Sequence, residues 1–196
     1  MEFEGFPKIP RLVRECVITE KIDGTNGQVY IVPKYTYADG LFDQSKCIES
    51  GDWWIFAGSR NRWLSQTEDN HGFFKWVSSN REQLVTELGY GRHFGEWWGQ
   101  GINARYQGAP KKFSLFNTPR WQSSKEQGLL TVCDVTPILH CGLFSTEACQ
   151  EVIDGLVKSG SFVWPGAKAE GIVVYHKAGG YLFKQTCEHD EKPKGE

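Results

Sequence analysis

The residues best suited to covalent chemistry stand together in Glu20-Lys21-Ile22-Asp23-Gly24-Thr25-Asn26-Gly27. A lysine at the end of a strand is a candidate nucleophile if its amine can be held neutral. An ordinary lysine, with a pKa near ~10.4, is uncharged in only about one copy in 2,500 at pH 7. A nearby divalent cation disfavours the ammonium form, and carboxylates are then needed to hold the cation. Asp23 alone would favour the ammonium, so it makes chemical sense only beside a metal or metal-bound water. Taken alone, K-x-D-G is short enough to arise by chance. The plainer reading is a hairpin turn with Lys21 and Asp23 as exposed charges.

A second segment is electrostatically unusual. From Trp97 to Lys125 there are five basic residues (Arg105, Lys111, Lys112, Arg120 and Lys125) and no acid. Tyr106, Phe113, Phe116 and Trp121 are interleaved with them. Cations among aromatics suit a nucleic-acid backbone with stacked bases. A solvated basic face whose acidic partners lie elsewhere in the fold explains the same pattern equally well.

These residues need elements to position them. Cys16 to Lys21 and Gln28 to Val32 are β-rich and flank a turn carrying both Asp-Gly and Asn-Gly, a hairpin signal. Further strands are predicted at 53–58, 92–97, 112–116, 130–134, 171–176 and 181–186, the last two joined by Lys-Ala-Gly-Gly. One helix is predicted over about Ser79–Leu88, closed by Gly89. Another follows Ser145 as N-cap, with Glu147 in its first turn, and ends before Gly160. Strands outnumber helices without regular alternation, which predicts an α+β fold with antiparallel sheets. Stretches at about 33–52, 61–72, 99–111 and 118–128 read as long loops. The end from about Glu188 is polar.

Composition narrows the class. The chain has 196 residues, 39% hydrophobic and 23% charged, with a net charge of −2. That excludes a disordered tail, a coiled coil or a collagen-like chain, and the length makes one large domain or at most two small ones. No apolar run approaches the ~20 residues of a membrane span. The acidic start MEFEGFPKIP lacks the pattern of a secretion signal. Six cysteines without any C-x-x-C pair read as reduced thiols, so a cytoplasmic location is expected. A zinc site using Cys133, His140 and Cys141 lacks paired-ligand spacing. Eight tryptophans fit either core packing or stacking against bases or sugars.

The order of several short blocks adds a resemblance. The chain resembles the covalent nucleotidyltransferase superfamily of polynucleotide ligases and capping enzymes, and within it the RNA ligase 2-like branch, over about residues 14–186. Glu20–Asn26 looks like motif I, with Lys21 where the family forms its lysyl-adenylate and Ile22 within the nucleotide-binding block. Gly58-Ser59-Arg60 looks like motif Ia, whose arginine engages phosphate. Phe94-Gly95-Glu96-Trp97-Trp98-Gly99 looks like motif III, whose glutamate holds ribose hydroxyl. Phe113-Ser114-Leu115-Phe116-Asn117 looks like motif IIIa, with Phe116 as the ring stacked on adenine. Glu170-Gly171-Ile172-Val173-Val174 looks like motif IV, whose glutamate serves a catalytic metal, a role that Asp23 would share. Tyr181-Leu182-Phe183-Lys184 looks like motif V, which supplies phosphate-binding lysine.

The resemblance implies a nucleotidyltransferase (ligase adenylation) fold and an ATP-dependent RNA ligase using Mg2+. Lys21, Asp23 and Lys184 would be catalytic; Glu20, Asn26, Arg60, Glu96 and Phe116 would hold the nucleotide. Arg105, Lys111, Lys112 and Arg120 would bind nucleic acid. Asn26 stands where DNA ligases and capping enzymes carry arginine, which is like the RNA ligase pattern. Glu20 favours ATP over GTP, since a carboxylate accepts from the adenine amino group and repels the guanine carbonyl. The family's NAD-using members carry an N-terminal module that these residues lack. The partner implied is RNA, with a nicked duplex among the candidates, acted on by a monomer. One catalytic domain over 1–196 is expected, with a polar tail from about 188 and no C-terminal accessory domain. The spacing from Lys21 to Arg60 implies an insertion at about 33–52. Motif V departs from the family's K-x-K, because Lys184 is followed by Gln185 and Thr186. Other readings are a nucleic-acid-end binding protein with lost or partial catalysis, a DNA ligase-like nucleotidyltransferase, and an aromatic-rich carbohydrate-binding module.

Overall fold

The computed structural model describes residues 1–36 and 42–188, and the chain divides into two compact units. One comprises the residues up to Ile22 together with those from Pro137 onward; the other is Asp23–Thr136. Strands and helices are numbered along the chain. The first unit holds β1 (Glu15–Lys21), β8 (Ile138–Leu143), helix α4 (Thr146–Ser159), β9 (Gly171–His176) and β10 (Tyr181–Thr186). The second holds β2 (Thr25–Pro33), β3 (Cys47–Ser50), β4 (Trp53–Gly58), α1 (Phe73–Ser79), α2 (Arg81–Leu88), β5 (Gly91–Trp98), β6 (Lys112–Leu115), α3 (Thr118–Glu126) and β7 (Asp134–Val135).

In the first unit the sheet order is β10-β9-β1-β8, antiparallel throughout. Side chains alternate across a strand, so Cys16 and Ile18 of β1 share a face with Ile172 and Val174 of β9. They meet Cys149, Ile153 and Leu156 of α4 in one apolar cluster. Those helix residues lie four and three apart, which places them on one stripe. As the sequence predicts, Ser145 caps α4 by accepting from the Ala148 amide, and Gly160, at a φ of 81°, closes it.

In the second unit the sheet order is β3-β4-β2-β5-β6-β7. Only the β6–β7 pair is parallel, so this sheet is mixed rather than purely antiparallel. Val29, Ile31, Ile55, Ala57, Trp97, Phe113 and Leu115 point to one face. There they pack against Phe73, Phe74 and Val77 of α1, Leu84 and Leu88 of α2, and Trp121 of α3. The opposite face carries Asn26, Gln28 and Tyr30 beside Arg92, Phe94 and Glu96.

Several expectations are corrected. The Asp-Gly and Asn-Gly turn does not make a hairpin: β1 pairs with β8 and β9, whereas β2 pairs with β4 and β5. The glycines serve close packing instead. A Cβ on Gly24 would overlap the Trp97 carbonyl oxygen, and one on Gly27 would meet the rings of Phe73 and Phe113. The helix expected over 79–88 starts earlier and breaks at Asn80, whose side chain donates to the Trp76 carbonyl at 2.7 Å and ends α1. Residues 130–134 are not a strand; only Asp134–Val135 pairs there. Two expected loops contain elements, β3 and α3, although residues 37–41 lie outside the described residues. All six cysteines are free. Among the described residues no helix is long and apolar enough to cross a membrane.

Gly24→Ala should destabilise the protein by about 1–3 kcal/mol, the usual range for a side chain forced into a filled space. Denaturant unfolding measures it, and an unchanged midpoint would mean that the β2–β5 contact relaxes freely around residue 24.

Candidate functional site

The sequence-predicted residues fall into two clusters, one in each unit. In the first unit Lys21 ends β1 opposite Gly171 of β9. Its Nζ lies 2.5 Å from Oε2 of Glu170, with the two side chains 18% and 5% exposed. A lysine with little access to water is thus held by a nearly buried carboxylate. Gly171 is needed beside them, because a Cβ there would overlap the Gln185 carbonyl oxygen.

The register locates Lys184. On β10 it stands opposite Val173, and Val173 stands opposite Thr19. Thr186 stands opposite Gly171, in the row of Lys21. Cross-strand partners share a face, so Lys21, Lys184 and Thr186 all project on the side away from the apolar cluster. Lys184 is two strands over, about 10 Å, and one repeat along, roughly 7 Å. It is exposed.

Glu20, one residue before Lys21, points the opposite way and is 1% exposed. Its Oε1 accepts from the Ser161 hydroxyl at 2.5 Å and its Oε2 from the Phe162 amide at 2.8 Å. Burial pushes the Glu20 carboxyl up from its ordinary value, and these hydrogen bonds pull partly against it. In this arrangement Glu20 anchors the segment after α4. Ile22 is also buried.

In the second unit Asn26 and Glu96 stand directly opposite on β2 and β5. Asn26 donates from Nδ2 to Glu96 Oε2 at 3.0 Å, and its Oδ1 accepts from Arg60 Nε at 2.8 Å. Asn26 therefore uses both ends of its amide to join a cation to an anion. Glu96 is 8% exposed, while Phe116, beyond the end of β6, is 42% exposed. Asp23 is held separately. Its Oδ1 accepts from Asn103 Nδ2 at 2.8 Å and its Oδ2 from Arg105 Nε at 3.0 Å, while its amide donates to the Tyr106 hydroxyl.

The basic segment is largely neutralised within the fold. Arg105 pairs with Asp23, while Lys112 and Lys125 both pair with Asp134, at 3.0 and 2.6 Å. Burial alone would raise the Asp134 carboxyl, but the two ammonium groups outweigh it and hold it below its usual range. Lys111 donates to the His71 carbonyl, and Arg120 lies over Trp121. The acidic partners of the solvated-face reading are thus Asp23 and Asp134.

Ser161 and Asn103 escaped the sequence reading, and Tyr106 entered it only as an aromatic of the basic segment, not as a partner of Asp23. Each meets its partner more than 75 residues away, and no local spacing marks them. Among the described residues no group of three or more His, Cys, Asp or Glu side chains forms a metal cage. The oxygen donor at Glu170 fits a hard cation of the magnesium kind, which keeps most of its waters and takes one or two carboxylates plus phosphate. Asp23 has its charge balanced by Arg105.

A family model described as RNA ligase matches residues 14–186. The chain belongs to the RNA ligase family. Among solved structures it is similar to a Naegleria gruberi RNA ligase variant with AMP and manganese, at 20% identity and a TM-score of 0.60, over 93% of this chain and 53% of that one. Another variant of that ligase, with ATP and manganese, matches at 19% identity and a TM-score of 0.58, over 93% and 52%. The same ligase with pyrophosphate matches at 18% and 0.56, over 91% and 52%. At this identity the shared property is the ligase fold, and the chain spans about half the length of these matches. A comparison with curated proteins finds no match.

Glu20 offers a pH test. Its raised folded value means that its contribution to stability is full below the ordinary carboxylate value and is lost as pH rises through the raised one. Glu20→Gln cannot ionise, so its melting temperature should improve relative to wild type as pH goes from about 4 to about 8. A difference that stays constant over that range would mean that Glu20 titrates as an ordinary carboxyl.

Proposed function

We propose that this protein is an ATP-dependent RNA ligase that joins 5′-phosphate and 3′-hydroxyl ends. The observation that carries the reading is Lys21, held 2.5 Å from the nearly buried Glu170 in a chain of the RNA ligase family. In the first step the deprotonated Nζ of Lys21 attacks the α-phosphorus of ATP. A nitrogen–phosphorus bond forms, the bond to the bridging oxygen breaks, and pyrophosphate leaves. A 5′-phosphate oxygen of RNA then displaces the lysine and takes the AMP. The 3′-hydroxyl finally attacks that 5′-phosphate, and AMP departs.

Each residue has a physical task in this scheme. Glu170 orients Nζ, and its Oε2, 2.5 Å away, takes the proton that the ammonium gives up before the attack. Glu96 and Asn26 offer a fixed acceptor and donor to the ribose, and the exposed Phe116 ring is a platform for adenine. Arg60, steadied by Asn26, and the exposed Lys184 bring positive charge to phosphates. Asp23 fixes the 103–106 turn through Asn103, Arg105 and Tyr106. Glu170 would hold magnesium, which when bound screens the phosphates and stabilises the charge that develops on them. Adenine selection by Glu20 remains part of the reading, through the lone pairs that Ser161 and Phe162 leave. A second reading, an end-binding protein with lost or partial catalysis, draws on one observation: Thr186 occupies the row of Lys21 where a K-x-K pattern would supply a second lysine.

Incubation with α-labelled ATP and magnesium tests the choice. The wild type should carry an acid-labile label that Lys21→Ala abolishes. Label that persists in Lys21→Ala would overturn the nucleophile, and absence of label in the wild type would favour the second reading. Lys184→Ala should slow single-turnover adenylation or sealing at least ~100-fold, about 2.7 kcal/mol of barrier. Thr186→Lys should be tolerated or faster. A near-wild-type rate for Lys184→Ala would show that motif V lies elsewhere.

A further inference from the structure

The face of the six-stranded sheet that carries Asn26 and Glu96 continues along the strands into an aromatic strip. On β5 the alternation that places the nearly buried Glu96 on this face also places Phe94 and then Arg92 there, opposite Gln28 and Tyr30 of β2. Phe94 is 51% exposed. The Phe94 carbonyl accepts from the Phe116 amide at 2.9 Å, so the backbones of these two exposed aromatics are neighbours. The Arg92 guanidinium lies 3.9 Å from the centre of the Tyr30 ring and 5.4 Å from that of Trp63. Tyr30 and Trp63 are themselves stacked, and both lean on the buried Phe56. Arg92 is exposed, and among the described residues no carboxylate pairs with it. Two other arginines of this unit are held by protein acceptors, Arg62 by the 68–69 segment and Arg105 by Asp23.

The Arg92 guanidinium is held in advance over the Tyr30 ring, and its N–H groups can still donate. Single-stranded nucleic acid is held by such surfaces: bases stack on aromatic rings or guanidinium planes, and cations meet the phosphates. We propose that Arg92, backed by Tyr30 and Trp63, and Phe94 form a stacking track for single-stranded RNA that continues the Glu96–Asn26 face along β5. The inference rests on the ligase reading for its occupant, RNA. It differs in site from the Arg105, Lys111, Lys112 and Arg120 segment, of which Arg105 and Lys112 are paired with carboxylates.

The test is a fluorescence-anisotropy titration of a labelled, 5′-phosphorylated oligoribonucleotide with the full chain as wild type, R92A, R92K and F94A, each with a melting curve. R92A and F94A should each weaken binding at least about fivefold. R92K keeps the charge but not the plane, so it should fail to restore affinity while keeping a wild-type salt slope. R92K at wild-type affinity would overturn stacking, and R92A at wild-type affinity would overturn the track. If R92A melts early, F94A decides, because its ring is half exposed and its loss removes little packing. A wild type that binds no RNA also overturns the track. AMP labelling of the wild type separates the two claims: label with unchanged affinity in the variants defeats the track alone, and absence of label defeats the ligase reading.

Discussion

A lysine at the end of β1 and a glutamate just before β9, 2.5 Å apart beside the inner strands of a four-stranded sheet, set the constraint that the first unit satisfies. Neither group has much water, so each needs the other, and removing one partner of such a pair leaves an uncompensated charge. The pairing depends on register. Cys16, Ile18, Ile172 and Val174 must face α4, and alternation then sends Lys21 to the other side and Glu20 inward. A slip of one residue would bury the lysine and expose the apolar set. Gly171, which admits no Cβ, lets β10 pass close by and puts Thr186 in the row of Lys21 with Lys184 one repeat away.

The second unit solves a similar problem with the same tool. The apolar alternation of β2 and β5 that fills its core leaves Asn26 and Glu96 directly opposed on the other face. Asn26 is the link of that group, since its amide donates to Glu96 and accepts from Arg60. Glycines at 24, 27 and 95 keep the strands and the packed aromatics close enough for the register to hold. Lys21, Asn26 and Glu96 are thereby fixed on strands by core packing, while Arg60, Phe116 and Glu170 stand within two residues of a strand end.

Much of this was legible. β-rich runs gave β1, β2, β4, β5, β6, β9 and β10, and the Ser145 cap and Gly160 stop gave α4, because those signals are local. The hairpin expected at Asp23–Asn26 was misread because a glycine demanded by a close approach looks the same in sequence as a glycine demanded by a turn. The first helix was missed because its start depends on Asp69, whose carboxylate accepts from the Phe74 and Lys75 amides. The residues of the candidate site were legible as a set of blocks, but their partners were not. Ser161 meets Glu20 across 141 positions, and Arg105 meets Asp23 across 82. The charge count from Trp97 to Lys125 suggested a basic face; Asp134, which neutralises two of its lysines, lies just past the end of the window.

The proposed ligase reaction requires AMP to be bonded to Lys21 rather than to any other of the chain's lysines. Peptide mapping by mass spectrometry, after reaction with ATP and magnesium and without RNA, locates it. A single adenylated peptide whose fragments place AMP on Lys21 is expected. AMP on Lys184 or on another lysine, with Lys21 unmodified, would contradict it.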